Sequence, residues 1–79
     1  MTDNQKAFTL ELSKQFVVLF STPMYTIASK KFTPEAMADK VVSGLLDGTA
    51  DKSGQGVVNT CKLFNIKLTY KAINEFLKG

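Results

Sequence analysis

The run Phe32-Thr33-Pro34-Glu35, with Gly48 thirteen residues beyond its glutamate, brackets a segment whose local chemistry favours a helix at both ends. The Thr33 hydroxyl suits an N-cap, where it accepts from one of the unpaired N–H groups of the first turn. Pro34 fits the first helical position because its missing N–H has no partner there anyway, and Glu35 lies near the positive end of the helix dipole. Phe32 and Met37 stand at the spacing of a hydrophobic staple. Met37, Val41 and Leu45, with Ala38, Val42 and Leu46, form an apolar face, and Glu35, Asp39, Lys40, Ser43 and Asp47 lie outside it. Gly48 is placed to end the helix in the left-handed conformation. Gly44, inside the helix, costs up to ~1 kcal/mol relative to alanine, which implies that another stretch of backbone comes close there.

The other segments are read by the same signals. Thr2-x-x-Gln5 fits a capping box, and Phe8, Leu12, Phe16, Leu19 and Phe20 follow with helical spacing, so residues 4–20 are expected to be helical. Leu10, Val17 and Val18 fall off that face, which predicts a C-terminal half buried all round. A β-hairpin over residues 7–20 is the alternative, since Phe8, Leu10 and Leu12 also alternate, but Ser13-Lys14 is a poor hairpin turn. Thr22-Pro23 can open a short helix to about Ser29, and Tyr25-Thr26-Ile27 suits an extended piece equally well. Gly48 to Gly56 is a polar, glycine-rich loop. A helix from Gln55 to Phe64 follows, then Asn65 in a left-handed turn, then Thr69 capping a last helix through Lys78 with Ile73, Phe76 and Leu77 on its apolar face. The expected fold is all-α: a single domain over 1–79, a small bundle of four to five short helices. Residues 33–79 would form a C-terminal trihelical unit with the first helix packed across it.

Chemistry is sparse in this chain. It has no histidine to serve as a general base, and its one cysteine, Cys61, falls on an apolar face with no activating partner. Glu35 and Asp39, one turn apart, lie on a solvated face. Ser53-Gly54-Gln55-Gly56 lacks the remaining elements of a phosphate-cradling loop. The loop from Thr49 lacks the first aspartate and the twelfth-position glutamate of a calcium loop. An enzyme is therefore not expected, nor a metal or cofactor. The longest apolar run, Phe16 to Phe20, falls far short of the ~20 residues of a membrane span. The N-terminus does not have the layout of a secretory signal, so a cytoplasmic location is expected. A core this small makes a homodimer plausible.

All ten basic residues are lysines, a usage that fits AT-rich coding of the kind common in phages and mobile elements. Without arginine, bidentate guanidinium contacts to guanine or phosphate cannot form. Lysines and acids balance over residues 1–48. Lys52, Lys62, Lys67, Lys71 and Lys78 face only Asp51 and Glu75 over the remainder, so the whole net charge of +3 sits in the last third. An anionic partner at that end is one reading of this asymmetry.

The succession of Cys61, Phe64, Asn65 and Ile66 followed by a second helix resembles a generic helix-turn-helix, with a turn two residues longer than the tight pattern. That resemblance implies double-stranded DNA as partner. Thr69, Tyr70, Lys71 and Asn74 would lie exposed at the reading end of the last helix, Asn74 pairing with adenine. Lys62, Lys67, Lys71 and Lys78 would meet phosphate. The expected function is a small DNA-binding or transcription-modulating protein. The alternative is a protein-interaction module (a phage-type inhibitor, adaptor or assembly factor) that binds a partner protein through an apolar helix face.

Overall fold

Helix formation begins where the Thr2 hydroxyl accepts from the Gln5 N–H at 3.0 Å. In the computed structural model, which describes residues 1–79, this cap opens α1, Asp3–Leu19. A 3-10 turn, Pro23–Tyr25, leads into α2, Thr26–Lys31. Then follow α3, Pro34–Asp47, α4, Gln55–Leu63, and α5, Tyr70–Leu77. There are no strands, so residues 7–20 form the helix and not the hairpin, and Pro23–Lys31 takes helical rather than extended form.

The caps fall on the residues that the local chemistry selects. Thr33 accepts from the Ala36 N–H at 3.1 Å and Thr69 from the Ala72 N–H at 3.1 Å. Gly48 closes α3 at φ 81° and Asn65 follows α4 at φ 59°, both left-handed. After α3 the chain folds straight back. The N–H groups of Thr49 and Ala50 both donate to the Gly44 carbonyl, at 2.8 and 3.0 Å. A Cβ on Gly44 would lie 2.6 Å from that of Ala50, which is the close approach its glycine implied.

The core consists of Phe8, Leu12 and Phe16 from α1, Ala38, Val42 and Leu45 from α3, Val57 and Cys61 from α4, and Ile73 and Leu77 from α5. Burial of a large apolar side chain contributes roughly 1.5–3 kcal/mol, so α1 alone brings three anchors of that size. Phe8 stacks on Phe64 and lies against Phe76, tying α1 to the chain that flanks α4 and α5.

Two expectations about packing are corrected. The centre of the bundle is α1, not a unit of residues 33–79: α3, α4 and α5 all pack on it, and α5 packs also on α3. The reason is that α1 carries the longest apolar face and the largest side chains. The C-terminal half of α1 is also not buried all round. Val17 and Val18 expose 59% and 67% of their surface, and Leu10, in the other half, exposes 57%.

The segment between α1 and α3 is held lightly. Tyr25 packs on Phe16 and Phe20, with ring centroids 6.1 Å from each. Neither the 3-10 turn nor α2 contains a buried residue.

Candidate interaction surfaces

The C-terminal helices present the lysines as the charge pattern implied. Lys62, Lys67, Lys71 and Lys78 are all exposed. The single ion pair of the molecule, Lys14 with Glu11 at 3.1 Å, involves none of them. Their ammonium groups face solvent and are not neutralised within the chain.

The polar groups assigned to base reading are placed differently. Thr69 is half-buried and uses its hydroxyl as the cap of α5. The Tyr70 hydroxyl donates to the Ala50 carbonyl at 2.7 Å, while Lys52 lies 5.5 Å from the Tyr70 ring centroid. Asn74 is not an exposed reading residue. It is half-buried, and its amide nitrogen donates to the Leu45 carbonyl at 3.0 Å and to the Tyr70 carbonyl at 2.9 Å. Recognition of adenine needs that same nitrogen as donor. The physical reason for the difference is that α5 lies against α3, so the side of α5 carrying Asn74 meets the last turn of α3. Only Lys71 of this group is a free, solvent-facing cation on the reading end.

This arrangement gives Asn74 a structural task that its sequence context did not announce. The Leu45 carbonyl belongs to the last turn of α3, where carbonyls have no helical partner, and Asn74 supplies a donor from another helix. Asn74→Ala is expected to cost about 1–2 kcal/mol, the scale of a lost interhelical hydrogen bond and an exposed orphan carbonyl. Urea titration followed by circular dichroism reads this cost. A midpoint unchanged from wild type would show that water replaces the amide without loss.

A concavity of about 520 Å³ lies between α3, the start of α4 and the loop joining them. It was not foreseen. Its floor is apolar, made by Phe16, Met37, Val41 and Val57, and Tyr25 stands at its side. Asp47 and Asp51 lie on its exposed rim. The Asp47 carboxylate accepts from the Thr49 hydroxyl at 2.6 Å and from the Thr49 N–H at 3.0 Å, and Asp51 accepts in the same way from Ser53. These hydrogen bonds hold both carboxyls below the usual carboxylate range, so both are ionised at neutral pH. Lys40 also lies on the rim, with its ammonium 5.5 Å from the Phe32 ring centroid. No sequence motif marks this cleft, because it arises where α3 and α4 each pack on α1.

Cys61 is buried within α4, and burial pushes its thiol pKa up. A thiol in that state is a poor nucleophile. No helix of the structure is long and apolar enough to cross a membrane.

The α1 helix presents a third surface. Leu10 and Val17, seven residues apart, share its outer side, with the exposed Lys6 and Lys14 beside them. Searches against protein families, curated proteins and solved structures found no match to this chain.

Proposed function

We propose that this chain is a non-catalytic protein-interaction module that engages its partner through the outer side of α1. The observation that carries the reading is the exposure of Leu10, Val17 and Val18 on the helix that also holds the centre of the core. Leu10 and Val17, left in water on one side of a rigid helix, form an apolar strip of the kind that protein partners cover, with Val18 about a quarter-turn round from it. The matching surface is an apolar groove; the charges beside the Leu10–Val17 strip are mixed, with Lys14 paired to Glu11 and Lys6 sharing a shallow hollow with Glu35 and Asp39.

A photo-cross-linking residue at position 17 tests this, with the same probe at position 75 as control. The expected result is one discrete adduct from native extract at position 17, absent at position 75 and lost when Leu10→Asp is added. Equal labelling at the two positions would remove the reading.

A second reading keeps nucleic acid as partner, favoured by the four unneutralised lysines Lys62, Lys67, Lys71 and Lys78. Binding of this sort is electrostatic, carries no base discrimination and weakens steeply with salt. Titration with mixed duplex DNA at two salt concentrations separates the two readings. Tight, sequence-selective binding at physiological salt would put DNA ahead of the protein partner.

A further inference from the structure

The segment Pro23–Lys31 has two unlike faces. Tyr25 turns inward onto Phe16 and Phe20, and Ala28, one turn on, is half-buried. Met24 and Ile27 point the other way and expose 88% and 71% of their surface. Lys31, one turn beyond Ile27, continues that outer face, with Lys30 beside it. This arm is thus an apolar tip followed by a cationic end. The cleft described above is its complement: apolar lining from Phe16, Met37, Val41 and Val57, and a rim on which Asp47 and Asp51 outnumber Lys40, whose ammonium lies against the Phe32 ring. Neither aspartate is ion-paired within the chain.

The arm cannot fill the cleft of its own molecule with that face, because Tyr25 anchors it with Met24 and Ile27 turned outward. Tyr25 also lines the cleft, so arm and cleft adjoin on one side of the molecule. Two copies related by a two-fold axis can therefore exchange arms reciprocally, each contact being made twice. A chain that buries only 14 of its 79 residues gains from such a contact, since oligomerisation is a common source of stability for cores of this size.

We propose that the chain forms a symmetric homodimer in which Met24 and Ile27 of each copy enter the apolar cleft of the other and Lys31 meets Asp47 and Asp51. The occupant of the cleft is a second copy of this chain. The contact lies off the Leu10–Val17 strip and does not depend on the reading given to that strip.

Sedimentation velocity over a range of protein and salt concentrations tests the dimer. The wild-type chain is expected to dimerise reversibly, with dissociation at least about fivefold easier at high than at low salt as the exposed charges are screened. Ile27→Asp is expected to weaken association by about tenfold or more while leaving the helical spectrum intact, since the side chain is 71% exposed in its own copy. Lys31→Asp is expected to weaken it likewise. Adding Asp47→Lys or, separately, Asp51→Lys to Lys31→Asp is expected to recover most of the loss, and two alternative rim positions guard against disturbance of one turn. Leu10→Asp is expected to leave association unchanged while abolishing the cross-link from position 17, so the two proposals fail separately. A chain that stays monomeric at high concentration and low salt overturns the dimer. So does a dimer indifferent to Ile27→Asp, one dispersed by Leu10→Asp, or one in which neither charge exchange recovers association.

Discussion

Phe8→Ala is expected to leave most of the chain unfolded at room temperature. Phe8 is fully buried and lies against Phe64 and Phe76, so truncation removes contacts from α1 to both C-terminal segments at once. Phe→Ala in a core costs about 3–5 kcal/mol through lost burial and the cavity left behind. A single core in a chain of this length rarely supplies more than that. Far-UV circular dichroism during urea titration reads the result directly. A variant that keeps its helical signal and loses under about 1 kcal/mol would show that Phe64 and Phe76 close the gap, and that Phe8 is not a keystone of the core.

The second large effect is expected at Gly44. Its position for a Cβ is 2.6 Å from the Ala50 Cβ and 3.1 Å from the Ala50 nitrogen, and neither is the end of a flexible side chain. Ala50 cannot retreat without giving up its hydrogen bond to the Gly44 carbonyl, which it shares with Thr49. Gly44→Val brings two further methyl groups into the same space and is expected to cost about 3 kcal/mol, the upper part of the range for overpacking. Gly44→Ala is the milder case, because alanine recovers up to ~1 kcal/mol of helix propensity against the clash. Thermal melts of the pair should place valine well below alanine and both below wild type. An alanine variant that melts higher than wild type would mean that the loop after α3 moves aside freely.

What the residues announced and what they concealed divide along a physical line. Thr2, Thr33, Pro34, Gly48, Asn65 and Thr69 act on groups within a few positions of themselves, so their caps and turns were legible one segment at a time. Gly44 was legible as a close approach, because an unfavourable residue inside a helix asks for a steric reason; only its partner, Ala50, needed the structure. Asn74 is the contrary case. Its amide serves Leu45, twenty-nine positions away, and a spacing that places a side chain on a helix face does not say which other helix meets that face. Val17 and Val18 fail as expected core residues for the same reason: periodicity groups them, while their exposure depends on how many elements pack around α1. The cleft is still more remote from the sequence, being a consequence of α3 and α4 sharing α1 as their support.

The two ends of the chain meet. The Thr2 hydroxyl donates to the Leu77 carbonyl at 2.6 Å, and the Asn4 amide to the Phe76 carbonyl at 2.9 Å. During synthesis α1 therefore waits for α5. While the chain is being made, α1 can find α3 and then α4, but the side of Phe8 that Phe76 covers stays open until α5 has cleared the exit tunnel. A nascent chain stalled within α5 would display the uncovered flank of α1 to whatever chaperone binds exposed aromatic surface.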